Sequence, residues 1–509
     1  MNPFVRKKYL REFVEKFGNV RSVLVVLLAA QLGFLILYKS FFEEALKRAA
    51  FASSDPLSVP YYGAILSNLD IAAGLFSALL LLIIFYYNYL RKFINFCSQR
   101  ERFTLLACIA LLVVIQSGII VSVKTLPLAD SSEYFGLAQR WYSLRAYVNE
   151  AGMPTAFWPV GYPALLSLLQ LLFGTMVVPA RLFNIGVSVC FVLVLHAVFR
   201  RWFDARERAI FILIICFSPN LIFSTNILLT DFPFSLILWT SVYLYLRRVE
   251  NIGTWLAIGV LSGIASYLRP FGLLMPAVFG LAAWWDGRMA DAGWKMFGGL
   301  CLFALSLAPW VIRNEMTFHA FIPSTTNGGY NFLEGNHHGA SGGTNQEFPY
   351  NWGNPDEAEE SRLAYKRGLD EIASHPVETF MRLPRKLYHL FRRGDSSLTW
   401  TFKHTESSTN PLLLSFLFYG SNLVYFLVLL ASLITAARWR NVQGLTDISP
   451  IVPLLYGSFI LICLVYVGSE RYLIPVFPIH QFLFVKFFGI RTGSARQSLS
   501  AAAGLDEVP

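Results

Sequence analysis

Apolar runs of about 17–25 residues recur along the chain, and short polar segments rich in arginine and lysine separate them. A helix rises about 1.5 Å per residue, so runs of this length match the roughly 30 Å hydrocarbon core of a bilayer. The pattern predicts twelve spans, at about 22–38, 65–90, 104–123, 180–199, 209–227, 232–246, 254–268, 271–285, 296–312, 412–436, 449–467 and 473–488. A thirteenth apolar stretch, from Gly161 to about Phe173, is short for a span and reads as an interfacial or re-entrant helix. That choice sets the parity of everything after it, and the charges agree with it. Arg6, Lys7, Lys8, Arg11, Lys16 and Arg21 precede the first span. Arg91, Lys92, Arg100 and Arg102 follow the second, and Arg200-Arg201, Arg247-Arg248, Arg438 and Arg440 follow later ones. By the positive-inside rule these clusters are cytoplasmic, and so are both ends of the chain.

Five regions follow from the pattern. Residues 1–103 form a cytoplasmic segment with two spans, and 104–314 a transmembrane module with a long polar loop at 124–178. Residues 315–410 are a large non-cytoplasmic loop, 411–490 the last spans, and 491–509 a small polar cytoplasmic tail. The expected fold is an all-α polytopic membrane protein.

Composition changes this picture little. The chain of 509 residues is 55% hydrophobic and 15% charged, against roughly 25% charged in a soluble domain. The mean hydropathy is +0.50. The net charge of +10 belongs to cytoplasmic loops and not to a nucleic-acid surface. The six cysteines form no C-x-x-C pair, so neither a disulfide framework nor a zinc site is expected. The first apolar run lacks a small-residue cleavage site, so no cleavable signal peptide is expected.

The candidate chemistry lies at span ends on one face. Asp130 follows the third span, and Glu133 comes three residues later. Asp231, Arg269, Arg313 and Arg471 sit at four more ends predicted to share that face. A charge at the centre of a membrane helix costs roughly 2.5–3.5 kcal/mol and less near the interface, so such residues are functional candidates. A carboxylate can take a proton from an acceptor hydroxyl, and arginine forks can neutralise a departing phosphate. Structural readings compete for each. Glu133 could pair with Arg140 or Lys124 on a helix face. Arg269 could pair with Asp231, Arg313 could anchor at the interface, and Arg471 could be an ordinary topology charge.

The stretch Asp130, Tyr134, Ala138 resembles the D-x-x-x-Y-x-x-x-A pattern of GT-C glycosyltransferases. W-P-V-G-Y-P at 158–163, L-T-D-F-P-F at 229–234, Y-L-R-P at 267–270, P-W-V-I-R-N at 309–314, G-N-H-H-G at 335–339 and E-R-Y-L-I-P at 470–475 follow in that family's order. The relatives in question are protein O-mannosyltransferases and lipid A aminoarabinose transferases. The resemblance covers about 104–490 and leaves the two N-terminal spans without a role. It implies a donor sugar linked through one phosphate to a polyprenyl lipid. It also implies Asp130 as general base, Asp231 as an orienting group, and Arg269, Arg313 and Arg471 as phosphate ligands. Where many relatives have adjacent acids, this chain has Asp130-Ser131-Ser132-Glu133, so Glu133 remains a rival base. Tyr134, Tyr162, Asn336, His337 and Tyr472 fall in the matching motifs as substrate contacts, and Asn331, shortly before G-N-H-H-G, is a further candidate to bind sugar hydroxyls. Turn capping among glycines is the favoured reading of Asn331 and Asn336.

The sequence therefore predicts a membrane glycosyltransferase working on the non-cytoplasmic face, in a bacterium the periplasmic side of the inner membrane. The acceptor is a glycolipid such as lipopolysaccharide, a polysaccharide or a protein hydroxyl. No cofactor is expected. Metal binding at His337 and His338 is the weaker reading, because no acidic or cysteine cluster of ligand spacing lies near them. Membrane lipids are partners, nucleic acid is not, and the chain is expected to act as a monomer. Two rivals are an oligosaccharide ligase or polymerase using a diphosphate-linked donor, and a secondary transporter. The transporter predicts two similar halves and charges at mid-membrane, whereas here the charges gather at one face.

Overall fold

The structure, a computed structural model, describes residues 58–344, 356–403, 405, 409–438 and 448–487. The predicted first span, the basic segment before it, Arg440 and the polar tail lie outside the described residues. Within them every regular element is helical, and three isolated β-bridges tie loops together.

The N-terminal half holds α1 (Ser58–Phe85), α2 (Tyr87–Gln99), α3 (Glu101–Ser122), α4 (Asp130–Leu144), α5 (Gly161–Phe173), α6 (Val178–Phe199), α7 (Ala205–Cys216), α8 (Pro219–Phe223) and α9 (Asp231–Arg248). Then come α10 (Ile252–Leu268), α11 (Met275–Trp285) and α12 (Met289–Phe318). The long polar segment contributes α13 (Asn327–Asn336), α14 (Glu357–Ser374), α15 (Pro376–Phe391) and α16 (Ser396–Lys403). The chain closes with α17 (Pro411–Ala437), α18 (Ile451–Val465), a 3₁₀ turn at Glu470–Val476, and α19 at 477–487.

Among the described residues five helices are long and apolar enough to cross a membrane: Pro60–Phe85, Glu101–Ser122, Val178–Trp202, Ala292–Phe318 and Pro411–Ala437. The predicted span at 209–227 is two helices meeting at 41°, which together would make a sixth. The bend falls at Ser218-Pro219, where proline lacks the N–H that would continue the ladder. Four shorter apolar helices, Gly161–Phe173, Ile252–Leu268, Pro270–Trp285 and Ile451–Val465, accompany them. Of the twelve expected spans eleven fall within the described residues, and five or six of the helices there have full spanning length. The helix expected at 296–312 also runs on to Phe318, beyond Arg313.

Lipid-facing flanks are legible on α3, where Phe103, Leu106, Val114 and Val121 are exposed. A single-chain surface this apolar is what a bilayer covers. Inside, Phe199 stacks on Phe482 at 5.0 Å, and Phe211 and Trp239 complete the cluster. The Trp239 indole donates to the Pro475 carbonyl at 2.8 Å, locking α9 against the turn that carries Arg471. At the end opposite Asp130, Asp204 and Glu207 form a reciprocal capping box on α7. Glu207 also meets Lys486 at 2.9 Å, tying α19 down.

Helices α10 and α12 approach each other closely. A Cβ on Gly259 would lie 2.0 Å from the Gly299 carbonyl oxygen, so the two backbones touch there. Small residues permit such contact, which is how helices associate where water supplies no driving force. Gly259→Val is expected to cost about 3 kcal/mol or more, at the upper end of overpacking. The check is thermal unfolding of purified protein in detergent. An unchanged melting temperature would contradict this packing.

Candidate functional site

Helix polarity places the charges. Asp130 and Asp231 each begin a helix, α4 and α9, where exposed peptide N–H groups favour a negative charge. Arg269 caps the C-terminus of α10, where free carbonyls favour a positive one. Arg471 lies in the 3₁₀ turn before α19. Just before Asp130, Ala129 adopts φ 48° and ψ −132°, a conformation an L-residue rarely holds. Strain of about 1–3 kcal/mol at such a residue persists only where its surroundings enforce it.

The four charges close into one network. The Arg471 Nη1 donates to Asp130 Oδ2 at 2.5 Å, and its Nε donates to Asp231 Oδ2 at 2.8 Å. Arg269 Nη1 lies 2.8 Å from Asp231 Oδ1, an ion pair without hydrogen-bond alignment. Burial of the Arg471 guanidinium would pull its pKa down, but Asp231 and Asp130 outweigh burial and hold it well above the ordinary arginine range. The side chains of Asp231, Arg269 and Arg471 are 4%, 8% and 12% exposed, whereas Asp130 is 30% exposed. Asp130 is thus the acid that solvent or a substrate reaches.

Aromatic rings frame the network. Arg471 sits over Trp400 at 5.7 Å and Arg269 over Tyr472 at 5.5 Å. Below Asp130, Tyr134 packs edge-on to Trp158 at 5.4 Å and to Tyr162 at 5.7 Å, fixing α4 on α5. A narrow cleft opens beside Asp231 and Arg471, with Asn184, Ser224, Ser396 and Ser397 in its walls.

Other residues expected here lie elsewhere. Glu133 is half-buried outside the network, its carboxyl pushed up by burial and by Glu150. Arg313 is engaged with backbone: it donates to Thr155 O at 2.9 Å and Tyr147 O at 3.2 Å, and Trp310 and Phe318 flank it. It therefore holds the loop after α4 and does not join Arg269 and Arg471. Asn336 donates to Phe332 O and Val465 O and accepts from Lys386 Nζ at 2.9 Å, a structural tie between α13, α15 and α18. Asn331 is half-buried on α13.

His338 is tied to α14, where its backbone N–H donates to Glu371 Oε2 at 2.9 Å, and to α15 through Glu378, while His337 Nδ1 lies 2.6 Å from the His338 carbonyl oxygen. The Glu378 carboxylate accepts from Gly339 N and Arg382 and meets His338 Nδ1 at 2.7 Å. The backbone N–H of Gly339 and the Arg382 guanidinium hold Glu378 down at about 2. Among the described residues no group of three or more His, Cys, Asp or Glu could hold a metal ion.

Sequence reasoning missed a second chain of polar groups. Glu470, next to Arg471, lies 3.3 Å from Arg393 and 3.5 Å from Arg392. Arg393 meets Asp395 at 3.2 Å, Asp395 accepts from Thr399 at 2.5 Å, and Thr399 contacts Tyr61 of α1 at 3.2 Å. The available signal was R-R-G-D at 392–395, a charge run entering a short apolar helix. This chain braces the turn that presents Arg471. Gly468 helps: a Cβ there would lie 2.0 Å from the Lys386 carbonyl oxygen, so the turn is pressed onto α15.

No known family pattern matches the chain, and no curated protein matches it. Among solved structures it is similar to the archaeal oligosaccharyltransferase AglB from Archaeoglobus fulgidus, in complex with an inhibitory peptide and a dolichol-phosphate. That likeness has 12% identity and a TM-score of 0.44, over 80% of this chain and 53% of that one. It is also similar to ArnT from Cupriavidus metallidurans bound to undecaprenyl phosphate, with 12% identity and a TM-score of 0.38 over 79% of this chain and 81% of that one. The chain spans about half the length of the archaeal protein.

Removing Arg471 leaves Asp130 without its arginine partner and the buried Asp231 with Arg269 alone. Arg471→Gln is expected to destabilise the protein by about 3–5 kcal/mol, the cost of breaking a buried pair. Adding Asp231→Asn should recover part of that loss. Thermal unfolding of the two variants in detergent tests this. A loss under about 1 kcal/mol, typical of a surface pair, would contradict the burial argument.

Proposed function

We propose that the protein transfers a sugar from a polyprenyl-phosphate carrier to an acceptor hydroxyl at the non-cytoplasmic face of a membrane. The observation that carries this reading is the network in which Arg471 bridges Asp130 and Asp231 while Arg269 backs Asp231. A chain built for stability alone gains little from such a device, because desolvating the charges offsets most of their attraction. A site that must bind a phosphate and free a base has a use for it.

In this mechanism the donor lipid lies among the helices and its phosphate meets the guanidinium groups of Arg471 and Arg269. The phosphate competes with Asp130 for Arg471. As Arg471 turns to the phosphate, Asp130 is released and its oxygen can accept a proton. The acceptor oxygen attacks the anomeric carbon, the bond from that carbon to the phosphate oxygen breaks, and the acceptor proton passes to Asp130. The configuration inverts, and polyprenyl phosphate leaves with one more negative charge than it carried as a diester. The two arginines are placed to stabilise that added charge, the usual role of a preorganised cationic clamp. Asp231, buried and held by both arginines, keeps them aligned. Tyr134 and Tyr162 hold α4, and Tyr472 sits against Arg269. The segment 124–178 thereby acts as the catalytic loop. The reading needs no step from Glu133, Arg313, Asn331, Asn336 or His337. The acceptor can be a glycolipid, a polysaccharide or a protein hydroxyl.

Asp130→Asn is expected to lower transfer by about 10²–10⁴-fold, the usual cost of losing a positioned base. The measurement compares cells lacking the native protein and carrying either form at equal membrane abundance. Mass spectrometry of envelope lipids, glycans and proteins then looks for a missing sugar. Full activity in the variant would overturn the assignment of the base.

A further inference from the structure

Helix α15 is built inside out. Its inward face carries Arg382 and Lys386, each 1% exposed, whereas Val377, Phe380, Met381 and Tyr388 are 75%, 70%, 61% and 45% exposed. These four apolar residues share one side of the helix, and the two cations share the other. Both cations are engaged within the protein. Arg382 donates to Glu378 at 2.7 Å, and Lys386 Nζ donates to Asn336 Oδ1 at 2.9 Å and to Leu464 O at 2.8 Å. A helix on a water-covered surface turns the other way, with its apolar stripe inward and its charges out.

The neighbours of α15 set its depth. Lys386 holds carbonyls at the end of α18, an apolar helix whose Leu461 and Val465 are exposed like the flank of α3. The last residue of α15 lies deeper. The Phe391 carbonyl accepts from Tyr425 Oη at 3.2 Å, and the Phe391 ring lies 6.3 Å from that of His480 in α19. Tyr425 stands about 21 Å from the start of α17, at roughly 1.5 Å per residue. That is near the middle of a 27-residue helix able to cross the membrane. Asn422, one turn nearer that start, accepts from Gly394 N at 3.0 Å. From there α16 leads back, and Thr405 just past it pairs with Thr125 at the end of α3.

We propose that α15 and α16 form a hairpin that dips into the half of the bilayer on the Arg471 side, and that lipid acyl chains cover the apolar side of α15. Part of the segment expected to be a water-covered loop is thus a membrane element. The occupant is lipid and not a second copy of the chain, because α15 is seated on the end of a lipid-facing helix and reaches mid-span depth beside α17. Arg385, exposed at the edge of the apolar side, can extend its guanidinium to lipid phosphates. An apolar helix face with a basic edge is the pattern of helices that lie at a membrane interface. Lipid contact at α15 is independent of the reaction at the site.

The test uses the unaltered full chain in phosphatidylcholine nanodiscs. Two probes are read by mass spectrometry: hydroxyl radicals generated in the water, and a diazirine carried on the acyl chain of added phosphatidylcholine. Met381 and Phe380 are oxidised readily where water reaches them. Both are expected to be oxidised several-fold more slowly in the nanodisc than in a free peptide of residues 376–391, and the diazirine is expected to label α15 as it labels the exposed flank of α3. Oxidation of both residues at the free-peptide rate would overturn the proposal, because the apolar side would then face water. Protection without diazirine labelling would overturn it as well, because protein would then cover that side, either a second copy or residues 345–355.

Discussion

Arg471 is the residue on which the site depends. One guanidinium reaches the carboxylates that open α4 and α9, and so joins two segments far apart in sequence. Its own position is over-determined. The turn before it is pressed onto α15 at Gly468, and the turn after it is gripped by Trp239. Glu470 is held between Arg392 and Arg393. The supports come from α9 and from α15 with the residues just after it, and together they fix where one planar cation points. A bidentate, directional group can use that precision, whereas a lysine ammonium could not bridge both acids in the same geometry.

The remaining charges follow from helix polarity. Acids at two helix starts and an arginine at a helix end each meet backbone dipoles of the right sign. This lets four ionised groups persist where the membrane supplies little water. Asp130 differs from the rest because it is the most exposed member and is held by one arginine contact, while Asp231 meets two. The same network therefore contains a fixed acid and a releasable one, and that asymmetry separates an orienting role from a proton-accepting one.

Much of this was legible in the sequence, and the limits have physical causes. Length and hydrophobicity alone locate helices, so the predicted spans after residue 60 fall on helices or a bent helix pair. Parity of charge clusters put Asp130, Asp231, Arg269 and Arg471 at one face, and all four do converge. Arg313 carried the same signal but turns to backbone carbonyls, a choice set by loop packing that no spacing reveals. Asn336 likewise ties helices together. The contribution of α16 was invisible because Trp400 and Ser397 gain meaning only when that helix lies against Arg471 and the cleft. The tie from Tyr61 through Thr399 and Asp395 to Arg393 gives α1, which matched no motif, a bracing place behind the site.

The most direct test of the account is the affinity of purified protein for undecaprenyl phosphate in three forms: wild type, Arg471→Lys and Asp130→Asn. If Arg471 is shared between Asp130 and the incoming phosphate, Asp130→Asn should bind the lipid phosphate as tightly as wild type or more tightly. Arg471→Lys, which keeps the charge but loses the fork, should bind it about tenfold more weakly. Weaker binding in Asp130→Asn together with unchanged binding in Arg471→Lys would contradict the account at its centre.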